Sequence, residues 1–224
     1  MTMKITHLLF ILPFFFCGCI EIIDDITVHN DGTGSFKYSI NLSSSKIKVN
    51  SILALDSLNG KKVPDMGEIV EKIQTFKNTL ETQPGISNVK TEFNQVEFIL
   101  KVSCDFSNVV ALQNGIKETL VAISKEKNTE IYNSNWISWD GKTLSRLIPN
   151  ALAVKAKAYE NSDMDLLKNG SYTSISRFDR AIDKTTNVNA KINPSKTATM
   201  LRVNTYDLRQ NNHLIENTIS LTPN

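Results

Sequence analysis

Between residues 35 and 139 the apolar residues change period in a fixed order, and that order constrains the fold more than any other feature of the chain. Ser35 to Leu42 alternates with a period of two, placing Phe36, Tyr38, Ile40 and Leu42 on one face. Residues 65 to 82 then fit a helix, with Met66, Ile69, Val70, Ile73, Phe76 and Leu80 in one stripe, Asp65 and Glu68 at capping-box spacing, and Pro84-Gly85 as the stop. Strands are expected at about 86–93 and 95–103, the second with Val96, Phe98, Leu100 and Val102 inward. A second helix, Asn108 to Lys125, is expected to be capped by Ser107 or Asp105, and a strand follows from Glu130 to Trp139, closed by a turn at Asp140-Gly141. Strand, helix, strand, strand, helix, strand is the order of a split βαβ, ferredoxin-like layer. The class is therefore α+β: an antiparallel sheet carrying two main helices.

An extra strand precedes that layer. Ile22 to Val28 leads through Asn30-Asp31-Gly32-Thr33-Gly34 into Ser35, a hairpin in which Asp-Gly supplies positive φ at low cost. Lys46 to Leu58 fits a short amphipathic helix, ended by Gly60-Lys61-Lys62. From Tyr172 onward no good helix is legible, and the chain reads as strands at 172–178, about 186–192, 197–208 and 214–221, with a turn at Asn211-Asn212. This strand-rich C-terminal part extends the sheet or forms a small module, with Glu160 to Gly170 as the best boundary. The expected division is 1–18 leader, 19–25 modified terminus and tether, 26–150 α+β domain, and 151–224 β-rich extension or second module.

The leader, MTMKITHLLFILPFFFCG, has Lys4 as its only charge, an apolar run from Leu8 to Phe16 broken by Pro13, and the small residue Gly18. Those are the three regions of a secretory signal. The run is far short of the roughly 20 residues that a transmembrane helix needs. Cys19 follows immediately, and Phe16-Cys17-Gly18-Cys19 resembles the lipobox of bacterial lipoproteins, departing from it at Phe16 and Cys17. The resemblance implies cleavage between Gly18 and Cys19 and diacylglycerol and an N-acyl chain, such as palmitate, on Cys19. At about 0.8 kcal/mol per buried methylene, such chains anchor a protein permanently. Cys17 leaves with the leader and the sulfur of Cys19 is occupied, so only Cys104 remains and the fold is held by its core without a disulfide. Residues 20 to 25, even fully extended, reach about 20 Å, which keeps the folded part close to the membrane.

Little in the chain carries chemistry. With 25 Lys+Arg against 23 Asp+Glu the net charge is only +2, and the basic residues are scattered, so nucleic acid is disfavoured. His29 and His213 each stand beside an expected turn, and no Ser-His-Asp, Cys-His or zinc-ligand spacing includes them. Cys104, at a strand end, reads as a structural thiol. Gly141-Lys142-Thr143 has the last three positions of a P-loop, but Trp136 stands where the first glycine belongs. Asp163-Met164-Asp165 opens like a calcium loop that Leu167 interrupts. Asp24 and Asp25 are adjacent in a strand and point to opposite faces, which does not suit a two-carboxylate hydrolase. No catalytic, cofactor or metal residue is assigned. Trp136, Trp139 and Tyr132 are the aromatics that could stack on a glycan.

The Asp31-Gly32-Thr33-Gly34 hairpin soon after the cysteine, and Gly-Ile-Ser-Asn-Val at 85–89, look like small uncharacterised lipoproteins of Bacteroidota. In its order of elements the chain distantly resembles the LppM-like bacterial lipoproteins. These resemblances imply a non-enzymatic envelope lipoprotein, membrane-bound through Cys19, that binds another envelope protein or a glycan. Ile20 is not the aspartate that marks inner-membrane retention in enteric bacteria, so the outer membrane is favoured in a Gram-negative cell. Two alternatives are a lipid-carrying module with a cavity lined by Phe98, Val102 and Ile116, and an envelope hydrolase with an unrecognised acid-based site.

Overall fold

The computed structural model describes residues 20–58, 60–124, 132–148 and 168–223. The protein is α+β. The first hairpin pairs β1 (Glu21–Val28) with β2 (Gly34–Asn41) along their full length. Its turn is set by Gly32 at φ +86° and by the Asp31 carboxylate, which accepts from the Thr33 amide at 3.0 Å. Residues 21–25, expected as tether, are the first five residues of β1.

Chain continuity then gives α1 (Lys46–Leu53), the short pair β3 (Ser57–Leu58) and β4 (Lys61–Lys62), and α2 (Met66–Glu81). Asp65 and Glu68 close both halves of a capping box at the start of α2, as their spacing predicts. The strands β5 (Ile86–Asn94) and β6 (Ile99–Phe106) form the next hairpin. The second strand starts at 99 rather than 95, because Asn94 accepts the amides of Val96 and Glu97 in a turn that also holds Phe98 at φ +52°. Val96 is consequently exposed, not inward. The helix α3 (Val109–Ser124) is capped by Asn108, which accepts from the Ala111 amide at 2.8 Å, in place of Ser107 or Asp105.

After α3 come β7 (Ile137–Trp139), β8 (Thr143–Arg146), β9 (Ser171–Phe178), β10 (Ile182–Thr185), β11 (Lys191–Ile192), β12 (Ala198–Asn204), α4 (Thr205–Gln210) and β13 (Asn217–Leu221). The expected strand over 197–208 ends at 204, where Asn204 accepts from the Tyr206 amide and caps α4, a helix that periodicity did not reveal. The boundary proposed at 160–170 falls mostly outside the described residues.

Seven strands form one sheet in the order β11-β12-β9-β1-β2-β6-β5, and four form a second in the order β10-β13-β8-β7. Both β2 and β5 run antiparallel to β6, which lies between them, so the first half of the split βαβ order is realised. The second half is not: β7 joins the small sheet, and β1 takes the position beside β2. Strands after residue 170 enter both sheets, with β9 parallel to β1 and β13 antiparallel to β8.

The alternation of the strands gives the large sheet one apolar face. Ile26 and Val28 of β1, Phe106 of β6 and Phe178 of β9 meet Leu80 of α2, Leu112 of α3, and Ile219 and Leu221 of the small sheet in one buried cluster. The helices α2 and α3 and the small sheet therefore share the same side of the large sheet. Its other face carries Asp25, Lys37, Lys101 and Arg177 and has no layer over it among the described residues.

Candidate functional site

In β1, residues of opposite parity face opposite sides, so the adjacent acids Asp24 and Asp25 end in different environments. Asp24 is 3% exposed, on the inner face. Arg146 of β8 grips it with two parallel bonds, Nη1 to Oδ2 at 2.7 Å and Nη2 to Oδ1 at 3.0 Å. Ser174 Oγ donates to Oδ1 at 2.9 Å, and the Tyr172 hydroxyl donates to Oδ2. Tyr172 also accepts from Arg146 Nη1 at 3.1 Å. Burial, and then the charge of Asp24, push the Tyr38 hydroxyl up to about 12. With both oxygens of Asp24 already accepting two donors each, the group serves as a clamp between the two sheets.

Asp25 lies on the outer face and is taken by Arg177, whose Nε and Nη2 donate at 3.0 and 2.9 Å. Strand register sets what stands beside it. Asp25, Lys37 and Ser103 form one transverse row that ends at Lys90, and Ile23, Ser39, Lys101 and Glu92 form the next. These rows line a concavity of about 330 Å³ on the open face. Among the described residues Lys37, Lys90 and Lys101 enter no ion pair. Three ammonium groups against two acids, one of them already neutralised by Arg177, favour a ligand with a carboxylate or phosphate. The aliphatic floor at Ile23 gives such a ligand an apolar contact as well.

A second concavity, of about 440 Å³, is lined by Arg146, Asn187, Asn211, His213, Glu216 and Asn217 among others. Its amides are already committed: Asn217 Oδ1 accepts from the Asn187 amide at 3.0 Å, Asn187 donates to the carbonyls of Leu214 and Glu216, and Asn211 accepts from the His213 amide. His213 pairs with Glu216 at 2.9 Å, and His29 pairs with Asp179 at 3.0 Å. Both histidines sit at the surface, as their turns suggested. A third concavity lies between Lys62, Glu68, Lys72 and Ile123. Of the three residues expected around a lipid cavity, Phe98 and Ile116 line none of these concavities, and Val102 borders the first while only 5% exposed.

The remaining sequence candidates are placed as follows. Gly18 and Cys19 lie outside the described residues, but Ile20 is tied to the fold by its carbonyl, which accepts from the Ser171 amide at 2.8 Å. Asp163 and Asp165 also lie outside them. Gly141-Lys142-Thr143 is the β7–β8 turn, where the Asp140 carboxylate accepts two amides. Trp136 and Trp139, both partly buried, pack against the main core, and Trp139 stacks on Phe178 at 6.1 Å. Tyr132 donates to Glu118. No group of three or more His, Cys, Asp or Glu among the described residues is arranged to hold a metal ion.

Cys104 is 1% exposed, and burial, then the charge of Asp105, push its thiol up to about 11. Against an ordinary value of 9.0, that leaves roughly a hundredth of the usual thiolate near pH 8. Alkylation of Cys104 in the folded protein at pH 8 is therefore expected to be at least about a hundred-fold slower than in urea. Equal rates, followed by mass spectrometry, would show that the thiol is reactive after all.

Arg146 carries no marker in the sequence. The signal that could have found it is Asp24 itself, an acid in phase with Ile22, Ile26 and Val28 that must be buried with a cationic partner.

No protein-family model matches the chain, and no curated protein does. Among solved structures, the folded domain of LppM from Mycobacterium tuberculosis aligns with a TM-score of 0.43 and 11% identity, covering 95% of this chain and 96% of that one. No helix among the described residues is long and apolar enough to cross a membrane.

Proposed function

We propose that this protein is a non-enzymatic lipoprotein of the cell envelope, anchored through acyl chains on Cys19, that presents the open face of its large sheet to another envelope component. The observation that carries this reading is the position of Cys19, two residues before β1 starts at Glu21, in the Gly18-Cys19 setting of a lipobox. A chain attached to a bilayer there holds its first strand at the membrane, with no room for a long tether.

The lysines at 37, 90 and 101 suit an anionic group on an envelope protein or glycan. Asp24 saturated in the interior, Asp25 paired on the opposite face and the high Cys104 thiol all argue for binding in preference to hydrolysis. The outer membrane is the favoured site in a Gram-negative cell, given Ile20.

Labelled palmitate is expected to enter the wild-type protein and to be lost completely in Cys19→Ala, which also leaves the Triton-extractable membrane fraction as an unprocessed or released form. Incorporation that survives Cys19→Ala would overturn the assignment of the anchor.

A further inference from the structure

The end of the large sheet from which β1 departs carries an exposed aliphatic rim. Glu21 pairs with Asn41, Asn41 with Ile99, and Ile99 with Asn94, so the start of β1, the exit of β2 and the β5–β6 turn share that edge. Four strands at about 4.8 Å spacing put all of them within about 15 Å of the N-terminal end of the fold. On this rim Ile47 is 68% exposed and Val96 74%.

The helix α1 makes the rim unusual. It is eight residues long, KIKVNSIL, and buries none of them. Ser45 stands at its N-cap without making the cap bond, and the Ser45 hydroxyl is buried without a partner. A helix so short, uncapped and without a buried face is marginal in water. Between Ser43 and Asp56 its segment has two lysines and no acid. Lys46 reaches Glu97 of the β5–β6 turn at 2.8 Å, which joins Ile47 and Val96 into one surface.

We infer that this rim, with α1 at its centre, is a second membrane contact that lies in the lipid interface beside the anchor. The inference rests on the anchored reading proposed above, since Cys19 is what brings this end of the sheet to a bilayer. Aliphatic side chains left exposed beside a lipid anchor reach about 5–10 Å into the boundary of headgroups and acyl chains when they lie in the interface. Two contacts, one covalent and one through α1 and Val96, fix the orientation of the domain and stand the long axis of the large sheet away from the bilayer. The open face then points sideways along the membrane.

The test uses the full chain, expressed with its own leader, purified from membranes and reconstituted in vesicles of phosphatidylethanolamine and phosphatidylglycerol that carry a lipid-borne quencher near the headgroup. Single substitutions Ile47→Cys, Val96→Cys and Val110→Cys receive an environment-sensitive fluorophore; Cys104 is buried and Cys19 acylated, so labelling is confined to the new thiol. Val110 is 59% exposed and follows the opposite end of β6, which makes it the matched control. The fluorophores at 47 and 96 are expected to lose most of their emission to the lipid-borne quencher, and that at 110 little. Quenching at 47 and 96 no greater than at 110, in protein whose mass includes the acyl chains, would overturn the rim contact and leave the anchor standing. A mass without acyl chains would overturn the anchored reading, and this one with it. Unchanged urea midpoints show that each labelled variant is folded.

Discussion

Asp24→Asn is expected to lower stability by about 3–5 kcal/mol, read as a fall in the urea midpoint of the detergent-solubilised protein. The side chain keeps its shape, but the Arg146 guanidinium loses its counter-charge while 13% exposed, and one of the four donors that converge on Asp24 faces an amide nitrogen. The slight exposure of Arg146 places the cost nearer the lower end of that range. Asp25→Asn supplies the contrast. Its pair with Arg177 is also bidentate, yet the two side chains are 19% and 49% exposed, so solvent screens the attraction and about 0–1 kcal/mol is expected. A double substitution, Asp24→Leu with Arg146→Met, should recover part of the loss, because two apolar side chains remove both charge-desolvation penalties while the Ser174 and Tyr172 hydroxyls lose their acceptor. Should Asp24→Asn cost no more than Asp25→Asn, the clamp between the sheets contributes nothing of consequence.

Those two neighbouring acids also mark what a sequence of this kind makes legible. Alternation alone places Asp24 inward and Asp25 outward, because the side-chain period of a strand is two. Which arginine meets each acid is decided by the parallel pairing of β1 with β9 and by the packing of β8, contacts that span more than 100 residues of chain. Local signals did best where the chemistry is local: the Asp65-Glu68 capping box and the Asp31-Gly32 turn are complete within a few residues. They did worst where side-chain hydrogen bonds to the backbone interrupt a hydrophobic alternation. Asn94 converts residues 95–98 from expected strand to turn, and Asn204 converts 205–208 from expected strand to helix. Nor does any periodicity reveal that β7 leaves the split βαβ layer for a second sheet, since the place beside β2 was open to whichever strand packed there best. The open lysine-bearing face is a product of that same topology, as α2, α3 and the small sheet crowd onto the other side.

Gly34→Ala is expected to cost about 3 kcal/mol, the upper end of what overpacking usually costs. Gly34 opens β2 opposite Val28 of β1 and Phe106 of β6, and its α-carbon faces the core. A β-carbon there would overlap the carbonyl oxygen of Thr27 and lie 2.5 Å from Phe106 Cζ. Thr27 belongs to a strand paired on both sides, and Phe106 is 3% exposed in the main core, so neither neighbour can step aside without moving a ladder or a packed ring. Gly141 tests whether space, and not simply the loss of glycine, is responsible. Its φ of +91° is strained for any side chain, but a β-carbon there meets nothing within 4 Å, so Gly141→Ala should cost about 1–2 kcal/mol from backbone conformation alone. The two substitutions also differ in where the damage spreads: Gly34→Ala should expose the amides of β1, β2 and β6 to hydrogen exchange, whereas Gly141→Ala should loosen only the β7–β8 turn. Exchange confined to the first hairpin turn in Gly34→Ala would mean that Phe106 yields more readily than its burial implies.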